Sequence, residues 1–413
     1  MKSSPFDVII IGGGPAGLSC ALGAGQRYLS VLLLEKKEQL GRKLLISGTG
    51  QCNLTHSGPI EAFPDHYGDR KKGRFVKPAL HHFTNNDLCE FVQNHGITLE
   101  ETEGGKIFPA SRRSRDIVEL FRFQCEKHGV AFVLNSPVKT LKKEDGLFRV
   151  QTDTDQFLSR NLVIATGGCS YPATGSMGDG YRLAAMLGHT ITPVRPGLTP
   201  VIIADYRLAD CSGISVAEVG ITLVRATGTK EKRTIRGPIL LTHRGISGPA
   251  VLDFSRYLTP EDMLILNWLG DTTRESLNAR LTQTLAENGR KTLKNTLRFT
   301  GLPERLIMAI LGANGISPDL PSCEVARSVR ETITSQLTGF PLKIKSLGGF
   351  DEAMVSVGGI TLSETDRSTM ESRKVPSLFF CGELLDIDGD TGGYNIQFAI
   401  SSGFLAATKL RIE

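Results

Sequence analysis

The apolar positions of this chain change period along its length, and the changes mark its parts. Asp7-Val8-Ile9-Ile10-Ile11 is a short β-branched run that reads as a buried parallel strand. Residues 18–26 are small and apolar, which suits a helix packed tightly on a sheet. Ser30-Val31-Leu32-Leu33-Leu34 is a second buried strand. Helical spacing returns over 117–127. Residues 130–134 and 137–141 read as strands, and 148–152 and 157–165 continue them as a meander. Residues 1–190 therefore predict an α/β, Rossmann-like domain.

From residue 191 the pattern shifts. Short β runs at 201–203, 219–224, 233–235 and 239–241, with turn residues between them, predict a barrel-like β insert over 191–271. Helical spacing at 277–285, 304–311 and 325–337 predicts a small helical subdomain over 272–338. Over 339–413 the chain returns through 353–359 and 378–382 to finish the first sheet, and a helix follows over 395–409. No period of 20–50 residues marks a repeat protein.

Composition narrows the classes. A chain of 413 residues with 40% hydrophobic and 22% charged residues is ordinary globular material. Lys plus Arg is 48 and Asp plus Glu 43, a net charge of +5 that gives no ground to expect dedicated nucleic-acid binding. The eight cysteines include no short-spaced pair, which argues against a zinc ribbon or a local redox disulfide and fits a reducing, cytoplasmic setting. No metal is expected. Residues 8–25 carry no charge, but Pro15 and six glycines make them a poor membrane span. The 45 glycines exceed the usual share, as expected where backbone approaches a cofactor closely.

The uncharged stretch has a better explanation. Gly12-Gly13-Gly14-Pro15-Ala16-Gly17 lies between the first strand and the first helix, and the second strand ends at Glu35. This is strand, Gly-x-Gly-x-x-Gly, helix, strand, acid. Gly12 permits the turn, Gly14 lets backbone approach a pyrophosphate, and Gly17 lets the helix pack on the strand. The helix start at Pro15 and Ala16 offers free N–H groups to phosphates. Glu35 can hold both ribose hydroxyls and would repel a 2′-phosphate, so FAD or NAD fits better than NADP.

Two later segments favour FAD. Asn161-Leu162-Val163-Ile164-Ala165-Thr166-Gly167-Gly168 is a buried strand ending in Ala-Thr-Gly-Gly, and Ser377-Leu378-Phe379-Phe380-Cys381-Gly382-Glu383 is a strand ending in Gly-Glu. This arrangement resembles the two-dinucleotide-fold flavoproteins. In those proteins the late acid, here Glu383, holds a ribityl hydroxyl, and backbone after the third strand, here near Val138, meets the adenine.

A narrower likeness lies in Gly41-Arg42-Lys43-Leu44-Leu45-Ile46-Ser47-Gly48-Thr49-Gly50-Gln51-Cys52-Asn53-Leu54-Thr55, which resembles the GRKxxxSGxGRCNxT loop of the BaiN-like flavoproteins. These are also labelled NAD(P)/FAD-dependent oxidoreductases or aminoacetone-oxidase-family proteins. Residues 104–109, 165–180, 242–249 and 382–395 match in order, so the likeness spans almost the whole chain. Gln51 stands where the family usually has Arg. The resemblance implies non-covalent FAD, a three-part architecture and reductase or oxidase chemistry on a small organic substrate. It implies cofactor contacts through Lys36, Arg42, Lys43, Ser47, Gly48 and Asn53.

Other candidates come from the residues themselves. Gly392-Gly393-Tyr394-Asn395-Ile396 precedes the last helix, and its N–H groups are candidates to meet the flavin pyrimidine edge. Asp179, between two glycines at a helix start, is either a cofactor neighbour or a plain N-cap. Arg42 and Lys43 sit in the loop after Glu35, either facing the diphosphate or as solvated charge. Cys52 reads first as an inert buried thiol. His243 is a candidate proton donor for C=C or C=N reduction, with a turn-stabilising role as its rival; Tyr171 and Tyr394 are the other donor candidates. The basic runs 70–74 and 112–115 read as solvated faces. No second nicotinamide fingerprint follows, so NAD(P)H is expected as a transient co-substrate. The rivals are an oxygen-using amine or aminoketone oxidase, and an RNA-binding flavoprotein such as a tRNA modifier.

Overall fold

The computed structural model describes residues 4–228 and 233–412. It divides into two compact units: residues 4–197 with 353–412, and residues 198–352 apart from 229–232.

The first unit is built on a sheet in which Ala131–Val133, Val31–Leu34, Phe6–Ile11 and Gln156–Ile164 lie side by side, all parallel. Val31–Leu34 and the last four residues of Phe6–Ile11 and of Gln156–Ile164 are fully buried, as in a parallel sheet covered on both faces. Leu147–Gln151 and Thr140–Glu144 extend the sheet as an antiparallel meander. Leu378–Phe380 pairs in parallel with the end of Gln156–Ile164, so a strand from the end of the chain completes a sheet begun at residue 6. The helix Pro15–Gln26 leads from the first strand and packs against the last helix, Tyr394–Lys409. A Cβ on Gly403 would lie 2.3 Å from Ala16 O, so the two helices meet backbone to backbone.

Two expectations change here. Strand Val355–Ile360 does not rejoin this sheet. It pairs with Ile191–Gly197 in a separate two-stranded ribbon, which belongs to the first unit. The two prolines of Ile191–Gly197 confine it to such an edge position and hid it from the period-2 reading. Arg42 and Lys43 are not in an open loop but start the short helix Arg42–Ile46.

In the second unit, six strands among the described residues close into an antiparallel barrel, in the order Val201–Ile203, Gly245–Ser247, Arg233–Leu241, Ser215–Val224, Met263–Asn267 and Phe340–Leu347. The runs at 233–235 and 239–241 are one strand. Gly237-Pro238 mimics a turn, but the irregularity is absorbed by a register shift opposite, between Val216 and Val219. Phe340–Leu347 is a barrel strand, so the return to the first unit comes at 353 rather than 339. Helices Arg274–Glu287, Glu304–Ala313 and Arg327–Thr338 do not form a separate subdomain. Their Leu277, Leu281, Leu306, Ile310, Ile333 and Leu337 share one apolar core with barrel residues such as Ile221, Leu266 and Ile344. Among the described residues no helix is long and apolar enough to cross a membrane.

Candidate cofactor site

The C-terminal ends of the parallel strands bring the sequence motifs together, as open α/β sheets do. Gly12 has φ +108°, and a Cβ there would lie 2.6 Å from Ala165 O. Gly12 therefore allows both the left-handed turn and the contact with the neighbouring strand. A Cβ on Gly17 would lie 1.9 Å from Gly12 O, so the helix rests directly on the turn. Gly14 differs: a Cβ there would meet nothing within 4 Å. It opens the helix Pro15–Gln26, whose first turn no side chain caps. An uncapped helix start beside open space is a ready anion site.

Glu35 sits beside that turn. Its Oε2 accepts from Gly13 N at 2.8 Å and its Oε1 from Lys37 N at 2.9 Å. Two backbone donors fix the carboxylate and leave lone pairs on both oxygens. Thr166 Oγ1 is buried without a partner among the described residues, and a Cβ on Gly180 would lie 2.0 Å from it. Gly168 and Glu383 come together: a Cβ on Gly168 would reach Ser356 Oγ at 2.3 Å and Glu383 Oε1 at 2.9 Å. Glu383 Oε1 accepts from Ser356 N (2.8 Å) and Ser170 Oγ (3.1 Å). Lys43 reaches from its helix to Glu383 Oε2 at 2.6 Å and also donates to Ser170. Gly382, at φ +70°, abuts Ala16 of the first helix.

Asp179 does not cap its helix. Gly178 is the cap residue, and Asp179 pairs with Lys36. Arg42 pairs with Glu38 and touches Ala173 O at 3.4 Å. The Ser47 hydroxyl donates to Leu44 O within its own turn, at 2.7 Å. Gly48 has φ +55°. Val138 is buried and its carbonyl accepts from Arg182 at 3.1 Å. Burial pushes the Cys52 thiol up to about 12, which makes it inert at neutral pH.

The start of the last helix is tightly held. Gly392 and Gly393 have φ +120° and +96°, and a Cβ on Gly393 would lie 2.5 Å from Thr55 C. The Asn53 amide accepts from Gly393 N and donates to Thr55 O, both at 3.1 Å. Asn395 spends its amide on Gly389 N (2.7 Å) and Gly389 O (2.9 Å), so its side chain pins the loop. Ile396 packs against the core. Tyr394 is buried, its ring stacked between His66 (centroids 4.0 Å) and His56 (5.1 Å). His66 Nδ1 lies 3.0 Å from Asp390 Oδ2.

A family model described as "HI0933-like protein Rossmann domain" matches residues 6–409. The chain belongs to the HI0933-like family. It is an FAD-dependent oxidoreductase, in agreement with the resemblance carried by the 41–55 loop. It is 35% identical over 405 residues to the ribosomal RNA dihydrouridine synthase of Escherichia coli, covering 98% of both chains. It is 30% identical over 407 residues to the 3-dehydro-bile acid delta(4,6)-reductase of Clostridium scindens, covering 96% of this chain and 97% of that one. Among solved structures, the 3-ketosteroid delta1-dehydrogenase of Sterolibacterium denitrificans aligns over 99% of both chains, with a TM-score of 0.52 at 14% identity; that likeness concerns the fold.

This HI0933-like chain fits FAD on its own geometry: open space at Gly14, an uncapped helix start, and a doubly anchored Glu35 with free lone pairs. His243 belongs to the second unit, exposed in the turn before Gly245–Ser247. Thr242, not His243, makes that turn's side-chain hydrogen bonds, to Gly245. The basic run 70–74 is not wholly a solvated face. Lys72 turns inward to Asp386 (2.8 Å) and the buried Asp388 (2.5 Å). Burial works against its charge, but the two carboxylates outweigh it and hold Lys72 above its ordinary pKa. Arg112 pairs with Glu100 and lies over Phe108.

The sequence reading missed Ser170, Ser356, His56, His66 and the Lys72 pairs. The one signal for any of them was charge: the basic 70–74 run and the acidic Asp386-Ile387-Asp388 run are complementary.

Proposed function

We propose that this protein reduces a carbon–carbon double bond conjugated to a carbonyl, and that its substrate is a uridine in RNA. The observation that carries the reading is the full-length relation, at 35% and 32% identity, to two proteins named ribosomal RNA dihydrouridine synthase. The bile acid relative supports the chemistry. Dihydrouridine differs from uridine by two hydrogens across C5–C6, a bond conjugated to the C4 carbonyl, and a 3-dehydro-Δ4,6 steroid is likewise a conjugated ketone. The closer similarity to the RNA enzymes turns the reading from a free small molecule toward RNA, the alternative weighed from the sequence.

Bound FAD supplies hydride transfer between NAD(P)H and the double bond. The chain's residues hold and orient it. The helix start at Pro15 and Ala16 takes the pyrophosphate over Gly14, and Glu35 takes the adenosine ribose hydroxyls. Glu383, steadied by Ser356 and Ser170, takes a ribityl hydroxyl. Lys43, Asn53, Thr166 and the Gly392-Gly393 backbone complete the cradle, with Val138 at the adenine. NAD(P)H gives up one hydride and becomes NAD(P)+. The double bond gains that hydride and one proton, which a side chain of the protein donates. Tyr394 and His243 are the candidates for that donor, and the pH–rate profiles of Tyr394→Phe and His243→Gln separate them.

The test is expression in Escherichia coli lacking its own 35%-identical relative, with rRNA nucleosides quantified by mass spectrometry. Dihydrouridine restored by the wild type, and not by Glu35→Arg, is the expected result. Wild-type protein that is FAD-loaded and reducible by NADH or NADPH, yet leaves rRNA unmodified, refutes the RNA reading.

A further inference from the structure

The helix Arg70–His82 carries its charge on one side. Its Phe75, Val76, Ala79 and Leu80 are buried, and every exposed position is Arg, Lys or His. Arg70, Arg74 and Lys77 follow at i, i+4 and i+7, one line along the outer face, with Lys71 beside them. Lys72 turns the other way, into Asp386 and Asp388. The four exposed cations form no ion pair among the described residues. The helix contains no acidic residue, and neither does Tyr394–Lys409, which packs against it.

Two more cations reach this face from elsewhere in the chain. Arg367 is exposed, has no ion pair among the described residues, and donates from Nη1 to the Arg74 carbonyl at 3.2 Å. Lys409 is exposed at the end of the last helix; burial, and after it the charge of Lys409, holds the His82 imidazole below its ordinary pKa. The flanking carboxylates are Glu61 and Asp65 of the turn Ile60–His66 and the cap residue Asp69, which is occupied by the Lys71 and Lys72 N–H groups. Six exposed cations thus stand against three carboxylates, in a chain whose net charge is only +5.

This arrangement does not help the fold. Arg70 and Lys71, in the first turn, oppose the helix macrodipole. Like charges repel at i, i+3 and i, i+4, which here are Lys71 and Arg74, Arg74 and Lys77, and Arg70 and Arg74. A bound polyanion relieves both costs. The face presents no apolar or aromatic side chain of the kind that an interfacial membrane helix inserts or a protein interface centres on. Cations one helical turn apart suit a row of phosphates, which position a strand without reading its sequence. Lys72 fixes the same helix to the Asp386-Ile387-Asp388 run that leads to Gly392 and Gly393.

We propose that the outer face of Arg70–His82, with Arg367 and Lys409, binds the sugar-phosphate backbone of the RNA substrate. The proposal rests on the RNA reading above and adds to it a docking surface separate from the uridine being reduced.

The test uses the full-length, FAD-loaded protein and a fluorescein-labelled oligouridylate, with anisotropy followed over a salt series. Arg74→Glu with Lys77→Glu should weaken binding about tenfold or more at low salt, the share of two phosphate contacts, and make the salt dependence shallower. FAD content and the rate of flavin reduction by NAD(P)H should be unchanged. Arg290→Glu with Lys291→Glu makes the same change of charge at two exposed, unpaired cations of the second unit and should leave binding as in the wild type. Arg74→Gln should weaken binding while leaving the urea midpoint unchanged or raised, because a repulsion is removed; a lowered midpoint gives Arg74 a structural role and overturns the proposal. Wild-type affinity and salt slope in the Arg74 and Lys77 double variant also overturn it, as does an equal loss in the Arg290 and Lys291 control. So does polyglutamate competing as well as unlabelled oligouridylate of equal charge, or retention of the wild type but not the double variant on phosphatidylserine vesicles while oligouridylate binding is equal in both. If the wild type never modifies rRNA but the double variant alone loses oligouridylate, the surface stands and the modification reading fails. If the double variant modifies limiting rRNA as well as the wild type does, the surface fails and the modification reading stands.

Discussion

Two glycines of the same fingerprint should respond oppositely to the same methyl group. Gly14 has φ −82° and ψ −177°, a conformation alanine adopts freely, and its Cβ would meet nothing within 4 Å. In protein stripped of FAD, Gly14→Ala should leave stability unchanged or raise it by about 0.4–1 kcal/mol, because the unfolded chain loses freedom. The open space is where the pyrophosphate is proposed to sit. A methyl wedged between phosphate and backbone is an overpacking error of about 1–3 kcal/mol, which weakens FAD binding about five- to 150-fold. Gly17→Ala places its Cβ 1.9 Å from Gly12 O, a backbone atom that cannot swing away. The helix must lift off the strand, and the cost of about 3 kcal/mol or more appears with or without FAD. Urea melts of the stripped proteins and FAD titrations by fluorescence quenching separate the two effects. Gly14→Ala protein that binds FAD as tightly as the wild type would place the phosphates elsewhere. Gly17→Ala protein as stable as Gly14→Ala would refute the packing argument.

Glu35→Arg should weaken FAD binding by about 1–3 kcal/mol, the value of one charged hydrogen-bond partner, and unchanged affinity would remove Glu35 as the ribose ligand. Lys72→Met removes the ammonium that pairs with Asp386 and with Asp388, whose side chain is 1% exposed. It should cost roughly 3–5 kcal/mol in urea unfolding, whereas replacing Lys72, Asp386 and Asp388 together by apolar residues should recover much of the loss. Burial works to raise the Glu364 carboxyl, but Lys374 and Thr190 outweigh it and hold it down to about 2, below its ordinary 4.5. A depressed carboxyl stabilises the fold above its unfolded pKa and stops doing so as pH falls through the folded one. The stability gap between wild type and Glu364→Gln should therefore be full at pH 7 and close between pH 4.5 and 2; a gap that stays constant over that window contradicts the assignment.

The parts of this protein that were legible in the sequence are those specified over short distances. Residues 6–35 could be read because strand, turn, helix and strand follow one another and each glycine answers a local need. The register of Val8 opposite Val31 then follows from two apolar runs of similar length. Strand Ile191–Gly197 was illegible because Pro193 and Pro196 interrupt its alternation, and it is a strand because Val355–Ile360 supplies the partner. Phe340–Leu347 alternates cleanly between buried and exposed positions, but nothing local says which sheet it joins. The stack of His56, Tyr394 and His66 unites residues more than 300 positions apart, and single histidines carry no spacing to announce it. Lys72 looked like surface charge because its carboxylate partners are equally distant in sequence.

The late arrival of Leu378–Phe380 has a consequence for synthesis on the ribosome. Until that strand emerges, the edge of Leu162–Ile164 is an apolar row of unsatisfied N–H and C=O groups, and Ala16 and Gly23 of the first helix lack the last helix that covers them. The intervening unit is encoded by one unbroken stretch, residues 198–352, and can close its barrel while the outer sheet still waits. The nascent chain thus carries a finished middle and an unfinished beginning, with a sticky edge exposed for the whole interval. Chains released before residue 378 should be captured by chaperones or aggregate, while those released after the last helix should not.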